Sequence, residues 1–63
     1  MKYKIKAFRE QMRMSQQELA ALSGVSRATI SGLESGTLTV TTTETLIKIA
    51  KALGKKVSDI FLE

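Results

Sequence analysis

Cysteine, histidine, proline and tryptophan are all missing from this sequence of 63 residues. Without cysteine there is no disulfide framework and no thiolate metal site, a pattern that fits a reducing compartment. Without histidine there is no imidazole base, no His-ligated zinc, and no Ser-His or Cys-His nucleophile system. The acids do not fill that gap. Glu10, Glu18, Glu34 and Glu44 are scattered, Asp59 and Glu63 lie near the end, and none form a paired-carboxylate pattern. Neither catalysis nor a metal or cofactor is expected. Long apolar runs are also lacking: the start Met1-Lys2-Tyr3-Lys4-Ile5-Lys6 has charge but no apolar stretch behind it, and nothing approaches the roughly 18–20 apolar residues of a membrane span. The expected location is the cytoplasm.

What is present fits one domain over residues 1–63, because a second core needs far more chain. A core this small buries only about 60% of the unfolded chain's surface, which gives pairing with a second subunit a thermodynamic motive. Net charge is +4 and unevenly placed. Lys2, Lys4, Lys6, Arg9, Arg13 and Arg27 outnumber Glu10 and Glu18 in the first half. In the second half, Lys48, Lys51, Lys55 and Lys56 balance Glu34, Glu44, Asp59 and Glu63. A polyanion would dock on the first half.

Apolar residues recur at three- and four-residue spacing, so the whole chain reads as helices. The first spans about Lys2 to Met12 with Ile5, Phe8 and Met12 on one face. The second opens at Ser15, where Ser15-Gln16-Gln17-Glu18 is a capping box. Leu19 and Leu22 point inward, Ala20 is small, and Ser23-Gly24 ends the helix. Ser26 caps a third helix running to about Ser35 and closed by Gly36. Thr37 to Thr41 alternates like a strand but has no partner and reads as a loop. A fourth helix, about Thr42 to Leu53, is capped by Thr41 with Glu44 three residues on, and its inner face is Leu46, Ile47, Ile49, Ala50 and Leu53. Gly54 ends it, and Ser58 caps a last turn that brings Ile60 and Phe61 onto the core. The fold class is all-α: a compact five-helix domain. Leu62, Leu38 and Val40 are left as candidates for a surface between subunits.

So short a turn around Gly24 forces the second and third helices to cross steeply, as in a helix-turn-helix. On a wheel of about 100° per residue, Arg27, Ala28, Ser31, Gly32 and Ser35 fall within about 140°, while Ile30 and Leu33 face the other way. An idle solvated face would carry long charged residues, whereas small ones admit another surface closely. Gly32 stands out, since glycine within a helix costs about 1 kcal/mol relative to alanine. With this helix in a major groove, Arg27 is shaped to bond guanine O6 and N7 together. Ala28 would touch a thymine methyl, Thr29 and Ser31 would bond base or phosphate, and Gln16 would meet a phosphate beside the amides opening the second helix.

Met14-Ser15-Gln16-Gln17-Glu18-Leu19-Ala20, then Ser23-Gly24-Val25-Ser26-Arg27, then Ile30-Ser31-Gly32-Leu33-Glu34-Ser35-Gly36 resembles the phage repressor and Cro-like family of helix-turn-helix regulators, also called the xenobiotic response element family. Thr45-Leu46, Lys48-Ile49-Ala50, Ala52-Leu53-Gly54 and Val57-Ser58 look like its fourth and fifth helices, so the likeness covers almost the entire chain. It implies a lambda-repressor-like domain of bacterial or phage origin. The implied function is sequence-specific binding of double-stranded operator DNA by a homodimer, with repression or activation as the outcome, repression being favoured, and Arg27 to Ser35 as recognition helix. Arg27, Ala28, Ser31 and Gly32 match base-facing positions. Gln16 and Ser35 match phosphate contacts, a set completed by Gln17, Ser26, Thr29 and Thr37. Arg9 and Glu34 match a structural ion pair. The loop after Gly36 departs from the family in having no lysine, arginine or proline, Ser23 replaces an apolar or small residue, and Gly32 replaces a longer base-reading side chain. Two other readings remain: an antitoxin or accessory subunit that binds DNA only with another protein, and a protein-interaction module using the same helix face.

Overall fold

The computed structural model describes residues 2–38 and 41–62, without the side chains of Lys2, Phe61 and Leu62. The element order is β1 (Lys2–Tyr3), α1 (Ile5–Gln11), α2 (Gln16–Ser23), α3 (Arg27–Ser35), α4 (Thr43–Leu53), α5 (Val57–Ile60) and β2 (Phe61–Leu62). The all-α class stands, with five helices among the described residues, within extents of 24 × 21 × 19 Å. A small addition joins the two ends. Lys2 pairs with Leu62 and Tyr3 with Phe61 in an antiparallel ribbon, and the Lys4 amide donates to the Ile60 carbonyl at 2.7 Å. The first helix therefore starts at Ile5 rather than Lys2. Residues 2 and 3 spend their backbone groups on the chain's end, and Tyr3 is buried in the core.

The helix boundaries follow local chemistry. Ser15 accepts from the Glu18 amide at 3.0 Å while the Glu18 carboxylate accepts from the Ser15 amide at 2.8 Å, a complete capping box. Ser26 caps α3 by accepting from the Thr29 amide at 3.2 Å. For α4 the cap is Thr42, accepting from the Thr45 amide at 3.1 Å, one residue later than the Thr41 expected. Ser58 lies inside α5, and that turn is instead stabilised by Asp59, whose carboxylate accepts from the Lys56 amide at 3.0 Å. The decisive turn is at Gly24: its φ of 73° is left-handed, open to glycine without the clash a Cβ brings, and α3 starts three residues later.

Ile5, Leu19, Ile30, Leu33, Ile49 and Ile60 are fully buried and form the centre, joined by Tyr3, Val25, Leu46, Ala50 and Leu53. Three residues expected inside are not. Leu22 is 65% exposed, Met12 48% and Ile47 40%. On α2 the buried face is centred on Leu19 and Ser23, with Ala20 packed beside them, and Leu22 falls outside it. Ser23 is accommodated there because its hydroxyl accepts from the Val25 amide at 3.2 Å. On α1, Arg9 takes the buried position next to the core and the helix ends at Gln11, leaving Met12 in the turn. Leu38 is half-buried against the core. The expectations for Val40 and for the Phe61 and Leu62 side chains lie outside what is described. No helix among the described residues is long and apolar enough to cross a membrane.

Candidate nucleic-acid interface

Helix α3 buries Ile30 and Leu33 completely, so their side of the helix is committed to the core. On the other side Arg27, Ala28 and Ser35 are exposed, and Ser31 and Gly32 are half-buried. Arg27 is the first residue of the helix, held at its mouth by the Ser26 cap. Ser26 also donates to the Thr29 hydroxyl at 2.8 Å, so the Thr29 hydroxyl proton is the one left for an outside acceptor.

One flank of α3 is bound by charge. Arg9 Nε lies 2.8 Å from Glu34 Oε2 and Arg9 Nη2 lies 3.1 Å from Oε1, a bidentate pair, while Arg9 Nη1 donates to the Met14 carbonyl at 2.7 Å. Only 11% of the Arg9 side chain and 4% of the Glu34 side chain remain exposed. The hydrogen bond to Glu34 raises the Arg9 pKa above its ordinary value, outweighing the opposite pull of burial. Gln16 joins this network, donating from Nε2 to Glu34 Oε1 at 3.0 Å. The link escapes the sequence reading, which treats Gln16 only as a phosphate contact. A wheel of α2 carries the signal, since Gln16 shares a face with Leu19 and Ser23, against α3.

The other flank is made by the chain doubling back. After Gly36 the Leu38 amide donates to the Gly32 carbonyl at 3.0 Å. A Cβ placed on Gly32 would sit 2.9 Å from the Leu38 Cβ and 3.7 Å from the Thr37 Oγ1. The direction a Cβ would take at Gly32 therefore meets the chain's own loop. Ser35 and Thr37 hydroxyls lie 2.9 Å apart at this edge, both on exposed residues. Gln17 and Ser26 are exposed, and Gln16 and Thr29 are half-buried. Among the described residues no side-chain cluster is fit to hold a metal ion, and every buried side-chain nitrogen and oxygen has a partner.

A capped helix, a left-handed glycine, and a second capped helix with one side bare and two polar flanks define a helix-turn-helix domain. The chain matches the family described as helix-turn-helix over residues 5–60. It is also 40% identical over 62 residues, 98% of this chain and 92% of the relative, to an uncharacterized HTH-type transcriptional regulator of Methanocaldococcus jannaschii. The chain belongs to the helix-turn-helix family, in its phage repressor and Cro-like branch, whose activity is DNA binding and transcription regulation.

Proposed function

We propose that this chain binds operator DNA sequence-specifically as a homodimer and represses transcription, with α3 in the major groove and Arg27 bonded to a guanine. The observation that supports it is the bare side of α3, with an exposed arginine at its opening and polar groups along both edges. Ala28 and Ser31 are the other base-facing positions. Gln16 and Gln17 at the start of α2, and Thr29, Ser35 and Thr37 around α3, face the two sugar-phosphate walls, while Ser26 serves the helix cap. Gln16 can meet a phosphate with its own backbone amide because its side-chain amide is held by Glu34.

A homodimer suits this reading because half-sites about 34 Å apart then fall on one side of the duplex. It also suits the small core and the exposed Leu22 and Ile47. A protein bound at an operator excludes other proteins from that stretch, and a DNA ligand locates the work in the cytoplasm. Selection from a random duplex pool, followed by titration at several salt concentrations, tests the whole reading. The expected result is a two-fold symmetric site, with affinity falling steeply as salt rises. Arg27→Ala should leave the melting temperature unchanged and remove about 1–3 kcal/mol of discrimination at one base pair of each half-site. A flat salt dependence, or an unchanged preference in Arg27→Ala, would reject it.

A further inference from the structure

Gly32 sits inside α3 and its φ is not left-handed, so backbone conformation does not require glycine there. Glycine in such a place costs about 1 kcal/mol against alanine, and the reason for it must be space. The space is taken by the returning chain. A Cβ on residue 32 would meet the Leu38 Cβ at 2.9 Å, a contact that real Cβ atoms essentially never show. The Leu38 Cβ is fixed to the main chain and its side chain packs on the core, so it cannot swing aside as a flexible tip would.

The fold-back has a chemical consequence at the end of α3. The Gly32 carbonyl accepts from the Gly36 amide and the Leu38 amide, each at 3.0 Å, which uses both of its lone pairs. The Ser35 and Thr37 hydroxyls donate to the same oxygen over longer distances, 3.3 and 3.5 Å, and lie 2.9 Å from each other. Two amides on the carbonyl weaken the negative end of the helix dipole, which would otherwise repel a phosphate. The two hydroxyls hold only long bonds to that crowded oxygen, so a phosphate oxygen can take over one of their protons at little cost.

We infer that Gly32 is a positioning residue: its missing side chain lets Thr37 and Leu38 lie flush on α3 and so sets the Ser35 and Thr37 hydroxyls against one wall of the groove. The inference rests on the DNA reading above for its ligand, but its geometric half does not. Base reading by α3 is then confined to the Arg27 end, and the Gly32 end grips backbone.

Gly32→Ala separates these ideas. In the free protein, hydrogen exchange of the Leu38 amide should quicken about tenfold or more while the Ile30 and Leu33 amides stay protected, showing a displaced loop on an intact helix. Binding to duplex DNA should weaken about tenfold for every sequence alike, the salt slope should stay unchanged because the lost contacts are neutral hydroxyls, and the selected site should not change. In a Leu38→Gly background, where the obstructing Cβ is gone, Gly32→Ala should have little further effect on affinity. An unchanged Leu38 exchange rate overturns the positioning role without reference to DNA. A new base preference at one position overturns it in favour of base contact. Failure of the unsubstituted protein to bind any duplex overturns the groove-wall role together with the DNA reading, whatever the exchange shows of the loop.

Discussion

Helix α3 is held on its two flanks by different physics. On one side Glu34 is locked by Arg9 and Gln16 in a network of charge-assisted bonds almost out of reach of water. On the other, Leu38 lies on a glycine and the contact is one of shape. A buried ion pair is tolerant of small shifts in position but intolerant of losing one partner, because the survivor is left as an uncompensated charge. A close apolar contact carries no such liability, yet a single added methyl group disturbs it. Orientation of the bare side of α3 therefore depends on a chemically fragile clamp at one edge and a sterically fragile one at the other.

The largest expected effect comes from breaking the charged flank. Glu34→Ala leaves the Arg9 guanidinium buried with only the Met14 carbonyl, and should cost about 3–5 kcal/mol, a large part of the stability of so small a domain. Urea unfolding measures it. Replacing both partners, Arg9→Met with Glu34→Leu, should recover most of that loss. If the double variant is as unstable as Glu34→Ala, the pair contributes net stability and the contrast between the flanks is wrong.

A second comparison lies within α2, between Leu19 and Leu22, which spacing alone treats as equivalent. Leu19→Ala should cost about 2–5 kcal/mol, because Leu19 is fully buried among the core residues. Leu22→Ala, at a position 65% exposed, should stay within about 0.5 kcal/mol of the parent in the same thermal unfolding measurement. A large loss at Leu22 measured in dilute protein would mean that its side chain is covered in solution.

This pair shows where the sequence is legible and where it is not. The capping box at Ser15, the cap at Ser26 and the glycine that ends α2 are local events, each settled within four residues, and they can be read directly. The choice of which apolar residues face inward is not local. It is settled by where α3 crosses α2, which favours Ser23 over Leu22 on grounds no single-helix pattern contains. The same holds for Tyr3, buried because residues 2 and 3 pair with residues 61 and 62 across nearly the whole chain. On α3, the exposed place of Arg27 at the helix opening is legible because it sits beside a cap. The surroundings of Gly32 and Gln16 are not, because their neighbours, Leu38 and Glu34, come from other parts of the fold.

A modest gain is expected where two helix ends share one design. At the end of α4 the Lys55 amide donates to the Ala50 carbonyl and the Gly54 amide to the Lys51 carbonyl, with Gly54 at φ 68°. The end of α1 repeats the pattern: the Met14 amide donates to the Arg9 carbonyl and the Arg13 amide to the Glu10 carbonyl, with Arg13 at φ 54°. Both are Schellman closures, but at α1 the left-handed place is filled by a residue with a Cβ, which disfavours that conformation by about 1–2 kcal/mol. Glycine would remove the strain and return part of the gain as chain entropy in the unfolded state. Arg13→Gly should therefore raise stability by about 0.5–1 kcal/mol, seen as a melting temperature several degrees higher. The exposed guanidinium lies three residues before α2, so the same substitution should weaken duplex binding at low salt and shrink the difference as salt rises. A gain in stability with no change in binding would place Arg13 off the DNA, and a loss of stability would mean that its side chain holds the α1–α2 corner through contacts worth more than the strain.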